Sequence, residues 1–147
     1  MLTTHDRAIV LNELANNYAV NLQYSVAIER YKEALSLYIQ LAKDKPMRYS
    51  LLIANVFTNL AMIHYACDLV NEASEFHQDA LKMHKALYKE NPERYGVGLA
   101  CCIIDGVGYL GEHSIVLYDA KLILSKIKGN AQAQELLEEM EALQEEF

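Results

Sequence analysis

A period of 46 residues runs through this 147-residue chain and limits what it can fold into. Shifting the sequence by 46 positions pairs identical residues: Leu14 with Leu60, Ala15 with Ala61, Ala27 with Ala73, Ala34 with Ala80, Pro46 with Pro92, Arg48 with Arg94 and Tyr49 with Tyr95. A fixed period of roughly 20–50 residues is typical of solenoids, in which one supersecondary unit buries its apolar face by stacking on copies of itself. The repeat therefore predicts a solenoid, and solenoids usually bind partners rather than catalyse.

Composition and charge argue against several function classes. With 52% hydrophobic and 22% charged residues, the chain is an ordinary globular sequence. A net charge of −7 with scattered basic residues argues against binding to nucleic acid or to an anionic membrane surface. We expect neither a membrane span nor a signal peptide. Three cysteines, two of them adjacent, do not form a disulfide framework, so we expect a cytoplasmic location.

Apolar residues at three-to-four spacing predict helices along the whole chain. We predict seven helices, roughly over residues 4–20, 24–44, 47–67, 69–90, 93–110, 114–128 and 131–146. Pro46 and Pro92 fall where a helix begins, and Asn91 is a candidate N-cap. Gly129 and Asn130 are predicted to end one helix and cap the next.

Large and small residues alternate within each unit where helices must approach closely. The series are Leu11, Leu14, Ala15, Tyr18, Ala27, Tyr31 and Ala34; then Phe57, Leu60, Ala61, His64, Ala73, His77 and Ala80; then Ile104, Val107, Gly108, Gly111, Ala120, Leu124 and Ile127. This alternation resembles the tetratricopeptide repeat (TPR) family, in particular its long-helix variants in kinesin light chains and in bacterial sensor and scaffold proteins. The usual TPR unit has about 34 residues, so the first two units here are longer.

The resemblance implies an all-α, right-handed superhelix that forms a single domain over residues 1–147. It has three TPR-like hairpins, at about 4–45, 46–91 and 92–129, and a capping helix over 131–146. The capping helix places Leu136, Met140, Leu143 and Phe147 on one stripe, and its glutamates form the opposite, solvated face.

Three motifs that suggest chemistry have structural interpretations that we favour. Gly106-Val107-Gly108-Tyr109-Leu110-Gly111 matches the dinucleotide fingerprint, but no βαβ pattern surrounds it. We interpret Gly108 as a close-packing position between helices. The histidines lack metal-ligand spacing, and His64 and His77 are predicted to lie in the core. Cys101 and Cys102 are predicted to pack as small apolar thiols. We therefore expect no metal, no cofactor and no catalytic residue.

In a TPR array the first helix of each pair lines the concave groove, and side-chain amides there can donate to and accept from a peptide backbone. Asn16 and Asn59 fall on the two asparagine positions of the carboxylate-clamp TPRs. The cation positions of that clamp hold no lysine or arginine here, so the resemblance implies a groove without a carboxylate clamp. The candidate groove residues are Asn12, Asn16, Asn55, Thr58, Asn59 and Met62. The alternative, that these are solvated polar residues on a helix face, stays open.

The function predicted from the sequence is a non-catalytic interaction module that binds a peptide or helix of a protein partner. The alternative is a self-associating homo-oligomer or a regulatory TPR segment of a larger protein. We expect neither nucleic acid nor membrane among its partners.

Overall fold

The computed structural model describes residues 1–110, 117–127 and 129–146, and within them all regular secondary structure is α-helix. The helices are α1 (Thr4–Val20), α2 (Tyr24–Ala42), α3 (Pro46–Ala66), α4 (Val70–Glu90), α5 (Pro92–Leu110), α6 (Leu117–Ser125) and α7 (Ala131–Glu146). The all-α prediction and the order of the elements are confirmed. Among these described helices, none combines the length and the apolar character that crossing a bilayer requires.

The helix termini follow from local side-chain chemistry. Thr3 caps α1 through a reciprocal pair of bonds, in which Asp6 N donates to Thr3 Oγ1 and Thr3 N donates to Asp6 Oδ2. Hydrogen bonding from the Thr3 side chain, and next from the Thr3 backbone, holds the pKa of the Asp6 carboxyl below its ordinary value. Pro46 and Pro92 are the first residues of α3 and α5, as the sequence predicts.

The predicted caps of the later helices are also confirmed. Asn91 Oδ1 accepts from Arg94 N at 3.1 Å, and Asn130 Oδ1 accepts from Ala133 N at 3.1 Å. Gly129 has a φ of 72°, the left-handed conformation that suits a glycine after a helix.

The 46-residue period is visible in the backbone as well as in the sequence. The turn after α1 contains Leu22 at φ 62°, and the turn after α3 contains Asp68, one period later, also at φ 62°. Gln23 N donates to Tyr18 O in the first turn, and Leu69 N donates to His64 O in the second, again one period apart. The two helical hairpins therefore turn in the same way.

The chain forms two compact units, of which the first covers Met1–Ala80. Alanines at the helix contacts allow close approach, and aromatic rings fill the space beside them. The buried apolar residues of the first unit include Ala8, Ala15, Ala27, Tyr31, Ala34, Tyr38, Tyr49, Ile53, Ala54, Val56, Leu60, Ala61, Ile63, Ala73 and Ala80. His64 and His77 are buried, as the sequence predicts.

The second unit covers Leu81–Phe147, and its core is formed by α5, α6 and α7. The buried residues include Leu99, Ala100, Ile103, Ile104, Val107, Leu117, Ala120, Leu124, Ala133 and Met140. Met140 and the partly buried Leu136 pack in this core, while Glu135, Glu138, Glu139 and Glu141 are exposed, so α7 is amphipathic as expected. The side chains of Leu143 and Phe147, also predicted to lie on the apolar stripe, are outside the described residues.

Two packing expectations are wrong. Leu14 is 41% exposed, although its repeat equivalent Leu60 is fully buried. The reason is that Leu14 lies on the flank of α1 opposite His5 and Asn16, the residues that contact α3 and α2. Gly108 is not a close-packing position, because a Cβ placed there would meet nothing within 4 Å. Gly111 lies outside the described residues.

Candidate functional site

Helices α1 and α3 of the first unit contact each other near their N-terminal ends and run in the same direction. Residues 21–23 and 43–45 form short loops, so α1, α2 and α3 alternate in direction. His5 near the start of α1 contacts Tyr49 near the start of α3: His5 Nδ1 lies 3.0 Å from Tyr49 OH, and the ring centroids are 5.7 Å apart. Along the sequence, Asn16 lies 11 residues after His5 on α1, and Asn59 lies 10 residues after Tyr49 on α3.

The two candidate groove residues on α1, Asn16 and Asn12, are less exposed to a ligand than the sequence predicts, because a side-chain oxygen of each faces other residues of the protein. Tyr31 OH on α2 donates to Asn16 Oδ1, although Asn16 itself is exposed. Burial raises the pKa of Tyr31, so its hydroxyl keeps the proton that this hydrogen bond needs. Asn12 Oδ1 is closed to solvent and accepts no hydrogen bond from any residue that the structure describes.

The four residues predicted on α3 divide by exposure. Asn55 and Met62 are exposed, whereas Thr58 and Asn59 are half-buried. Thr58 Oγ1 donates to the Ala54 carbonyl at 3.1 Å, one turn earlier on the same helix. This bond uses the hydroxyl proton and leaves the oxygen as an acceptor for a ligand.

The sequence interpretation missed three residues that extend the α3 part of the site. Met47, Leu51 and Tyr65 lie on the same face of α3 as Asn55, Thr58 and Met62, because these residues follow one another at intervals of three or four. We call this set the α3 stripe; its members are Met47, Leu51, Asn55, Thr58, Met62 and Tyr65. Met47, Asn55, Met62 and Tyr65 are exposed and the other two are half-buried. The three-to-four spacing was the signal that could have identified them.

The α3 stripe carries no charge over its whole length. Methionine side chains are flexible and polarisable and adapt to different apolar partners. Asn55 and the Thr58 oxygen add hydrogen-bonding groups at the middle of the stripe. Such a surface can bury the apolar face of a helix or an extended segment, with two polar groups to orient it.

Two of the remaining candidate groups, His64 and Cys101, are described by their local contacts and burial. His64 Nδ1 donates to the Leu60 carbonyl at 2.7 Å, and its ring lies 4.9 Å from that of Phe76. Burial, followed by the charges of Asp105 and Glu139, raises the pKa of the Cys101 thiol and disfavours the nucleophilic thiolate. Within the described ranges, no group of three or more histidine, cysteine, aspartate or glutamate residues could hold a metal ion.

The structure does not support a dinucleotide-binding site at the glycine-rich segment. Gly106 and Gly108 lie inside α5, which is helical from Pro92 to Leu110, so no strand precedes them as the dinucleotide fold requires.

Comparison with protein-family models, with curated proteins and with solved structures finds no match to this chain.

Proposed function

We propose that this protein is a TPR-like, non-catalytic interaction module that binds a peptide or helix of a protein partner. The groove runs along the flanks of α1 and α3 and is lined by Asn12, Asn16, Asn55, Thr58, Asn59 and Met62. The observation that carries the proposal is the α3 stripe, an uncharged and partly exposed surface with polar groups at its centre.

The finer features of the fold belong to the same proposal. The matching turns at Leu22 and Asp68 support a TPR-like array, because they give successive hairpins the same local geometry. The right-handed superhelix is the arrangement that this resemblance implies. Three free cysteines, one of them buried, support a cytoplasmic location.

The proposal is tested by removing amides that face the groove without supporting the core. Asn55→Ala with Asn59→Ala meets this condition better than a change at Asn16, whose loss would leave the Tyr31 hydroxyl without its acceptor. Partners captured by the wild-type chain from its native lysate are identified by mass spectrometry, and their affinity is measured by calorimetry. We expect the double variant to bind about 1–3 kcal/mol more weakly, roughly 5- to 150-fold.

A matched control uses two exposed residues on the second helices of the hairpins. Glu33→Ala with Lys82→Ala should leave the affinity unchanged, and both double variants should melt at the wild-type temperature. Salt should have little effect on the affinity because the groove residues carry no charge. If the control variant lost the partner while the asparagine variant kept it, the groove assignment would be wrong.

A further inference from the structure

The hydrogen bond between Tyr31 and Asn16 joins the core of the α1–α2 hairpin to a candidate groove residue. Tyr31 on α2 is 3% exposed, whereas Asn16 on α1 lies at the surface. Tyr31 OH donates to Asn16 Oδ1, so a buried side chain holds one end of an exposed carboxamide. We propose that Tyr31 is a positioning residue of the groove, which makes Asn16 present its N–H groups to a carbonyl oxygen of the partner.

The hydroxyl proton of Tyr31 determines which end of the Asn16 carboxamide faces inwards. A carboxamide oxygen accepts and its nitrogen donates, so either end could meet a hydroxyl group. With the nitrogen inwards, however, the Tyr31 proton would need another acceptor, and among the described residues the hydroxyl reaches only Asn16 Oδ1. Burial raises the pKa of Tyr31, so the proton stays on the hydroxyl. Because a buried O–H without an acceptor is unfavourable, the oxygen faces inwards.

The opposite end of the same carboxamide is open to a ligand. Asn16 Nδ2 donates to none of the residues that the structure describes, and Asn16 is exposed. Position 16 therefore offers donors outwards, while its acceptor is turned towards α2. A carbonyl oxygen is the acceptor that a peptide or helix of a protein partner supplies, and it carries no formal charge. It therefore suits a groove whose candidate residues are all uncharged.

The repeat shows that close packing does not require this hydrogen bond. One period later, Met62 stands in place of Asn16 and His77 in place of Tyr31. A methionine thioether is only a weak acceptor, so the second hairpin cannot form an equivalent bond of the same strength. The alanines at the helix contacts are nevertheless the same in both hairpins. Both members of the pair thus belong to the first hairpin alone, which supports a role outside the shared packing pattern.

Orienting the carboxamide in advance favours binding. A mobile exposed side chain must be immobilised when a partner binds, and this ordering reduces the affinity. Tyr31 orders Asn16 in the free protein, although Tyr31 itself is too deeply buried to contact a partner. The identity of the ligand group rests on the proposed function. The orientation of Asn16 does not, because it is a property of the free chain.

The first test measures how rigid the Asn16 side-chain amide is, by ¹⁵N relaxation NMR on the full chain without a partner. We expect an order parameter of about 0.8 in the wild type and below about 0.6 in Tyr31→Phe. Asn17 is the matched control, because it is adjacent, exposed and makes no side-chain hydrogen bond to a described residue. Its order parameter should be below about 0.6 in both proteins. Tyr31→Phe keeps the ring and should keep the wild-type circular dichroism spectrum.

The second test replaces the outward N–H groups without removing the acceptor for Tyr31. Asn16→Asp keeps an oxygen for the Tyr31 hydroxyl but has no N–H group to donate. The probe is the protein partner captured and identified as described above, and its affinity is measured by calorimetry. Asn16→Asp should weaken binding at least about tenfold. Asn17→Asp adds the same charge one residue away and should weaken binding less than about twofold.

The same calorimetry on Tyr31→Phe connects the two tests. This variant should bind the partner about 2- to 10-fold more weakly, because the partner must then order Asn16 itself. An Asn16 amide as mobile as that of Asn17 in the wild type, or equally rigid in Tyr31→Phe, would overturn the positioning role. Equal effects of Asn16→Asp and Asn17→Asp would overturn the donor role of position 16. If the wild-type chain bound no partner, the proposed function would fail, and the order parameter would still decide the role of Tyr31.

Discussion

At the scale of single residues, the two repeats use one backbone geometry with different side chains. Leu22 and Asp68 both adopt φ 62°, a region that costs an ordinary residue about 1–2 kcal/mol and that Asn and Asp tolerate best. Asp68 suits this conformation, whereas Leu22 does not. Leu22 is 72% exposed, so its side chain contributes little packing in return. The first turn therefore stores strain that the second turn avoids.

Replacing Leu22 should release this strain. We expect Leu22→Asn to raise the free energy of unfolding by about 0.5–1 kcal/mol, because asparagine tolerates the left-handed region and few contacts are lost. Chemical denaturation by urea measures the change. Asp68→Asn is the control, and it should change stability by less than about 0.5 kcal/mol. A less stable Leu22→Asn variant would show that Leu22 makes contacts that outweigh its backbone strain.

At the scale of elements, α5 shows that glycines within one helix can have opposite roles. A Cβ at Gly96 would lie 2.8 Å from Ile127 Cδ1 and 3.3 Å from Ile123 Cγ2, so α5 and α6 approach closely at this point. A Cβ at Gly108 would meet nothing within 4 Å. A side chain at position 96 would therefore have to displace Ile127 and Ile123, whereas Gly108 only lowers the helix propensity of α5.

This contrast gives a paired prediction. Gly108→Ala should stabilise the protein by about 0.5–1 kcal/mol, because alanine is the better helix former and the space is open. Gly96→Ala should destabilise it by about 1 kcal/mol, because the new methyl group overpacks the contact with α6. Thermal denaturation of the two variants compares them directly. Equal shifts in the same direction would mean that the α5–α6 contact is looser than the distances indicate.

The same elements show what the sequence can and cannot predict. The helices, the proline starts and the caps at Asn91 and Asn130 depend on local chemistry, so the sequence predicts them well. The packing of Gly108 and Leu14 was predicted wrongly. The repeat shows which positions are equivalent, but it does not show which side of each helix packs against another helix. The α3 stripe was missed because Met47, Leu51 and Tyr65 look like core residues until burial is known. Asn12 appeared outward-facing, yet its Oδ1 is enclosed.

At the scale of the whole molecule, charge is the property that most affects how copies of the chain meet. The chain has 20 acidic and 13 basic residues, a net charge of −7 and an isoelectric point near 5.2. Much of the exposed face of α7 is glutamate. Copies therefore repel one another at neutral pH.

Static light scattering measures this repulsion through the second virial coefficient. At pH 7.5 and low salt we expect a positive coefficient, because repulsion between the net charges dominates at long range. The coefficient should fall as the pH approaches the isoelectric point near 5.2, where the net charge vanishes. Sodium chloride at pH 7.5 should lower it as well, since salt screens the repulsion beyond about 10 Å at 0.1 M. Near pH 5.2 the same salt should have a much smaller effect. A coefficient that is negative at pH 7.5 and insensitive to pH would show that uncharged contacts outweigh the net charge.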